Sequence, residues 1–266
     1  MVRFFFTMMM SLIAVLPGFA QAGSSEAGAP VLPRKAVEAF ADRVQQDLAA
    51  RGAHVAIVAR KGRDPADLPD GIIYTHVGFW VYSRIVQPNG EQGLGYRVYN
   101  LYQGAEDKTR SRLVQDGPAD FFAGAYSLDA GVIIPAPRLQ QKLLEVINSP
   151  TYAALHNANY SVLANPRSSQ FQNCTEHTLD VVMASVYDEV DTRRIKANIR
   201  AYFHPQVIKV SGLKRLLAPF ASAALTTADH GRRIETATFG SIARFMRTYD
   251  LAAQVYRISP NSVIVR

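Results

Sequence analysis

Apolar positions recur every three or four residues across 34–51, at Val37, Phe40, Ala41, Val44 and Leu48, and Gly52 follows. That period predicts an amphipathic helix stopped by the glycine. The pattern then changes. Residues 54–59 (HVAIVA) form a short apolar run, which predicts a buried strand. A polar stretch with Pro65, Pro69 and Gly71 separates it from 74–82, where Val77, Phe79 and Val81 alternate with His76, Gly78, Trp80 and Tyr82. Alternation of this kind predicts a strand with two distinct faces. Residues 87–95 (QPNGEQGLG) are turn chemistry around Asn89-Gly90, and 96–102 (YRVYNLY) returns as a third strand, completing a hairpin.

Residues 104–131 carry no period and read as irregular. A short strand at 132–134 precedes Pro135, and 137–147 reads as a helix. Residues 152–164 are mixed before the Asn165-Pro166 turn. Residues 174–186 predict a helix with Leu179, Val182, Met183 and Val186 on one side. Asn173 is its N-cap, and Glu176 stands where a capping box needs it. Two or three more helices fit within 191–250, and a strand pair at 255–258 and 263–265 follows. With no internal repeat and no second linker, 34–266 reads as a single α+β domain.

Composition narrows the class. A chain 48% hydrophobic and 19% charged is neither disordered nor collagen-like. Residues 1–22 join Arg3, an apolar run and a small-residue Ala20-Gln21-Ala22 end. This is the pattern of a signal peptide cleaved after Ala22, and 23–33 (GSSEAGAPVLP) reads as a flexible leader. The apolar run is too short for a membrane span and is broken by Pro17. No later segment approaches the ~18 apolar residues that a span requires. The mature chain is therefore expected to be exported, periplasmic or secreted, without a transmembrane segment. Loss of Arg3 lowers the net charge from +7 to +6. The densest basic group, Arg193, Arg194, Lys196 and Arg200, sits beside Asp188, Glu189 and Asp191. No basic stripe with interleaved aromatics appears, so nucleic acid is not an expected partner.

A single cysteine, Cys174, excludes an intramolecular disulfide and a cysteine-built zinc site. The six histidines lack metal-ligand spacing, and Gly93-Leu94-Gly95 lacks the rest of a dinucleotide loop, so no metal and no cofactor is expected. Cys174 instead stands at a helix start, where backbone N–H groups and the helix dipole favour a thiolate. A cysteine nucleophile needs a base and a third group that orients the base. His76, opening a strand beside Gly78, is the best-placed candidate for that base. His177, one turn along the helix, reads as a flanking residue.

These residues resemble a known superfamily. Thr75-His76-Val77-Gly78-Phe79 is similar to the histidine strand of papain-like proteins, which include bacterial cell-wall endopeptidases and the lecithin retinol acyltransferase group. Asn173-Cys174-Thr175-Glu176 is similar to their nucleophile helix. Histidine precedes cysteine here, as in the circularly permuted branch. The wider pattern resembles an exported bacterial family known as domain of unknown function 2145. It covers VAIVARKG (55–62), THVGFWV (75–81), YNLYQG (99–104), YSVLANP (160–166) and QNCTEHTLD (172–180).

The resemblance implies a circularly permuted papain-like α+β fold, with an antiparallel sheet against the nucleophile helix and additional C-terminal helices. It makes Cys174 the nucleophile and His76 the base. The third residue is Asn100 or Gln103: a two-residue turn at Asn89-Gly90 puts 103 opposite 76, while Gly93 and Gly95 leave the register open. Tyr160 or Gln172 would line the oxyanion site with the Cys174 backbone N–H. The expected activity is hydrolysis or acyl transfer at an amide, ester or thioester, with a cell-wall peptide first and a lipid-like acyl substrate second. A non-catalytic binding module on the same fold is the rival expectation. The mature chain should begin at Gly23; intact mass of the exported protein checks this, and a retained 1–22 would refute it.

Overall fold

A computed structural model describes residues 31–86, 90–209 and 224–265. The expected signal peptide, most of the leader, and Asn89 lie outside the described residues. The first helix, α1 (Arg34–Ala50), buries the apolar stripe that its period announced: Val37, Phe40, Ala41, Val44 and Leu48. Strand β1 (Val55–Lys61) follows, then β2 (His76–Val86), β3 (Gln92–Gln103) and β4 (Ser111–Asp116). A short helix, α2 (Pro118–Ala123), leads to β5 (Ser127–Pro135). Residues 104–131, read as irregular, thus hold two strands and a helix. The strands are short and only partly buried, so their alternation is faint.

Helices α3 (Pro137–Ile147), α4 (Pro150–Ala154), α5 (Cys174–Tyr187) and α6 (Thr192–Tyr202) come next. Then follow β6 (Gln206–Ile208), β7 (Ile234–Thr236), α7 (Phe239–Thr248), β8 (Ala252–Ser259) and β9 (Ser262–Val265). Strands β6 and β7 pair with each other. The other seven form one antiparallel sheet in the order β4-β3-β2-β1-β5-β8-β9.

Both faces of this sheet are covered. Val55, Ile57, Ala59, Val77, Phe79 and Val81 point toward Leu143, Val182 and Met246 of α3, α5 and α7. Ala56, Val58, Trp80, Val98, Val132 and Ile134 point toward α1 and toward Phe121 and Phe122 of α2. This explains the unbroken apolar run of β1: a strand covered on both faces has no polar side to alternate with. Among the described residues, no helix is long and apolar enough to cross a membrane.

The hairpin register corrects one expectation. Gly78 faces Asn100, and the last pair is Val86 with Gln92. Five residues connect the strands rather than two, and Gly90 takes a left-handed φ of 83°. The pairing therefore brings Tyr102, not Gln103, opposite His76.

Helix α5 is anchored at its buried side by Lys196 of α6. The Lys196 ammonium donates to Glu176 at 2.6 Å and to both Asp180 oxygens at 2.8 and 2.9 Å, with all three residues buried. Burial alone would lower the lysine pKa, but Asp180 and Glu176 outweigh it and raise it. Lys196→Ala should cost about 3–5 kcal/mol, because two carboxylates lose their counter-charge in the interior. The urea midpoint measures this; an unchanged midpoint would show that water reaches the cluster.

Candidate active site

Cys174 is the first residue of α5. The Asn173 side chain accepts from the Glu176 N–H at 2.9 Å and from the Thr175 hydroxyl at 2.8 Å. Only this half of the expected capping box forms, because the Glu176 carboxylate turns to Lys196. The cysteine sulfur lies 3.9 Å from the Thr75 carbonyl. The backbone N–H groups of Val77, Thr175 and Cys174 itself are directed at it. Cys174 is only 4% exposed. Burial pushes its thiol up to about 11, against the pull of those N–H groups and of the Arg60 cation.

His76 is fully buried at the start of β2. Its ring stacks on Tyr102 at 4.7 Å and lies 5.3 Å from Phe121. Its Nε2 is 3.0 Å from the Asn100 side-chain oxygen. The Asn100 amide nitrogen in turn donates to Asp116 at 2.8 Å, and the Tyr102 hydroxyl donates to the other Asp116 oxygen at 3.0 Å. Burial holds the His76 imidazole well below its usual pKa; Arg60 adds to this and the Asn100 contact opposes it. Burial pushes Asp116 up to about 7, while its bonds from Tyr102 and Asn100 and the charge of Arg60 pull it down.

With Asp116 ionised, the hydrogen-bond chemistry selects between the two histidine tautomers. An ionised carboxylate only accepts, so the Asn100 nitrogen must face Asp116. The Asn100 oxygen then faces His76 and accepts from Nε2–H. That leaves Nδ1 with the lone pair, and Nδ1 is buried with no hydrogen-bond partner.

The two central residues approach from different layers. The sulfur belongs to the cluster of α3, α5 and α7, whereas the imidazole ring faces α2. The sulfur rests against the backbone on either side of His76, at Thr75 and Val77. No hydrogen bond joins sulfur and ring.

The other expected residues are placed as follows. Asn100, rather than Gln103, meets His76. The Gln103 amide donates to the Lys108 carbonyl at 2.8 Å. Both donors of Gln172 are engaged, by the Leu155 carbonyl and Asp180, each at 3.0 Å. Gln172 therefore ties α5 to the preceding loop rather than presenting a free donor. Tyr160 is buried in the same cluster as Cys174. His177 packs edge-on against Tyr152, as a flanking residue does. Among the described residues, no group of three or more His, Cys, Asp or Glu side chains could hold a metal ion.

Three residues escaped the sequence reading. Arg60, directly across from His76, is 1% exposed, and its guanidinium donates to the Phe121 carbonyl at 2.5 Å beside Gly124. Its signal was a charge closing an otherwise apolar strand. Tyr102 and Asp116 complete the chain behind the histidine. A cleft is lined by Ile73, Tyr74, Thr238, Phe239, Arg247 and Arg257. In the chain, Tyr74 precedes Thr75 and Thr238 follows Ala237, whose carbonyl accepts from Thr175 at 2.8 Å.

A sheet covered by helices on both faces, with a buried cysteine at a helix start and a histidine–asparagine pair on neighbouring strands, defines the class as an α+β protein with a polar centre. A family model described as an uncharacterized protein conserved in bacteria (DUF2145) matches residues 47–246, and the chain belongs to that family. No curated protein and no solved structure matches it.

Gly78 sets the approach of Asn100 to His76. A Cβ there would lie 2.6 Å from the Asn100 side-chain oxygen and 3.1 Å from the Tyr99 carbonyl. Gly78→Ala should therefore push Asn100 off His76 and cost about 1–3 kcal/mol, the usual penalty of overpacking. Chemical denaturation checks this; a variant as stable as the parent would show that Asn100 yields freely.

Proposed function

We propose that the chain is an exported cysteine hydrolase or acyltransferase on a circularly permuted papain-like fold, with Cys174 as nucleophile, His76 as base and Asn100 as the residue that orients the base. One observation carries the reading. Asn100 holds Nε2 of His76, so the free lone pair is on Nδ1, and the Cys174 sulfur rests against the backbone flanking that same histidine. The residue types that thiol catalysis needs thus stand at one strand start and on the helix beside it. Sulfur and ring rest on opposite sides of the strand, so the reading requires the imidazole to turn toward the sulfur before proton transfer.

Both groups rest neutral, since burial raises the thiol and lowers the imidazole. Proton transfer therefore accompanies attack. The sulfur bonds to the substrate carbonyl carbon as its proton passes to Nδ1, and the carbonyl electron pair moves to oxygen. The N–H groups at the start of α5 face the developing oxyanion. Collapse of the adduct expels the amine or alcohol, which takes the proton from Nδ1 and leaves a thioester. Water or an acceptor amine then attacks the thioester, His76 taking its proton and returning it to the sulfur. Cell-wall peptide amides are the first substrate class, from the expected export and the superfamily resemblance; lipid-like acyl substrates are the second.

The burial of Cys174 and His76 favours a second reading, a binding module that keeps the constellation as structure. Alkylation by iodoacetamide at pH 8 separates the two. Removal of a general base typically costs a factor of about 100 or more. A folded His76→Gln variant should be labelled at Cys174 at least about tenfold more slowly than the parent. Equal rates would abandon catalysis in favour of the binding reading.

A further inference from the structure

The chain of hydrogen bonds does not end at Asn100. Asn100 is an amide and can present either its oxygen or its nitrogen to the imidazole, so on its own it selects neither tautomer. Asp116 removes that freedom. One carboxylate oxygen receives the Asn100 nitrogen at 2.8 Å, and the other receives the Tyr102 hydroxyl at 3.0 Å. Tyr102 also stacks on the imidazole, with its ring plane 10° from parallel. Asp116 thus fixes both the hydrogen-bonded edge of His76 and one of its faces, without touching the ring.

We propose that Asp116 is a positioning residue that acts through Asn100 to hold His76 in the Nε2–H tautomer, leaving Nδ1 as the only basic nitrogen. The inference rests on the proposed role of His76 as base. An aspartate at the last residue of β4, two strands from the histidine, thereby extends the three-residue centre to a fourth. Reversal of the Asn100 amide would set its nitrogen against Nε2 and its oxygen against Asp116, an acceptor facing an acceptor. The histidine would then place its proton on Nδ1, and the nitrogen nearest its own backbone could no longer take a proton from the thiol.

Asp116 has close electrostatic neighbours: Tyr102 on β3, Arg60 on β1 and Asp120 on α2. Arg60 favours the ionised carboxylate, whereas Asp120 disfavours it. With burial pushing Asp116 up to about 7, the carboxylate is fully available only on the alkaline side of neutrality. The test is therefore set at pH 8.

Nitrogen-15 NMR of histidine-labelled protein reads the tautomer directly, with a His76→Gln variant to assign the ring signals. The parent should show Nε2 protonated and Nδ1 bare. In Asp116→Asn a carboxamide replaces the acceptor-only carboxylate, Asn100 can reverse, and the share of the Nε2–H tautomer should fall at least about twofold. Tyr102→Phe keeps the Asp116–Asn100 bond and should leave the tautomer unchanged. A parent protein with Nδ1 protonated would overturn the proposal without any variant, even if Asp116→Asn failed to fold. An Asp116→Asn spectrum identical to the parent's would overturn it too. The tautomer reports on Asp116 whether or not Cys174 proves nucleophilic, and the His76-dependent alkylation rate reports on catalysis alone, so the two ideas fail separately.

Discussion

A polar side chain on a sheet covered on both faces has no bulk water to turn to. Each one must find a partner inside the protein or carry a penalty for lacking it. Here the constraint falls on Arg60, His76, Asn100 and Tyr102, all buried on the central strands, and on Asp116 at the rim. The strand register brings them together: Arg60 across from His76, Asn100 across from Gly78, and Val98 across from Asp116. Gly78 permits the approach because it leaves room for the Asn100 oxygen. One polar chain is thus organised by the requirement that the sheet interior be satisfied.

The opposite face answers the same constraint differently. Glu176 and Asp180 lie on the buried side of α5, next to the helix start that carries Cys174, and Lys196 neutralises them from α6. Asn173 ties the cap to the Val162 carbonyl at 3.0 Å, and Gln172 ties the preceding residue to Leu155 and Asp180. Five side chains therefore hold the start of α5. On the proposed reading this is the support that a nucleophile requires, because a thiol gains from backbone N–H groups only while they stay aimed at it.

Much of this was legible in the chain. The apolar run of β1, the alternation of β2 and the Asn cap before Cys174 each have a local physical signature, and each element formed where expected. Asn100 was within reach through the superfamily resemblance, which puts a polar residue on the strand after the histidine strand. What could not be read depended on tertiary facts. Gln103 stood as a rival only under a two-residue turn, and the five-residue connection shifted the register away from it. Gln172 looked like a donor until Leu155 and Asp180 engaged its amide. Asp116 sat in a stretch whose Asp, Gly and Pro content reads as turn, and β4 is too short and too unevenly buried to announce itself. A charged residue at the end of an apolar run ordinarily marks the surface. Arg60 breaks that rule only because α2 closes over it.

The chain from Asp116 to His76 is satisfied at every link but the last. Asp116 accepts twice, Asn100 both donates and accepts, and Nε2 is held; Nδ1 has nothing. A buried acceptor left without a partner costs about 1–3 kcal/mol, and a network satisfied except at one atom is an unfavourable way to build a core. An apolar side chain at position 76 would remove that penalty. The parts placed around Nδ1 work the other way, since the tautomer imposed by Asp116 and Asn100 keeps its lone pair bare and Arg60 helps to keep it unprotonated. The sulfur lies beside the His76 backbone, on the other side of the strand from the ring. On the proposed reading the open position at Nδ1 is a site held for a proton; on the binding reading it is one of several buried polar atoms that this core leaves unpaired, with those of His177, Trp80 and Tyr152.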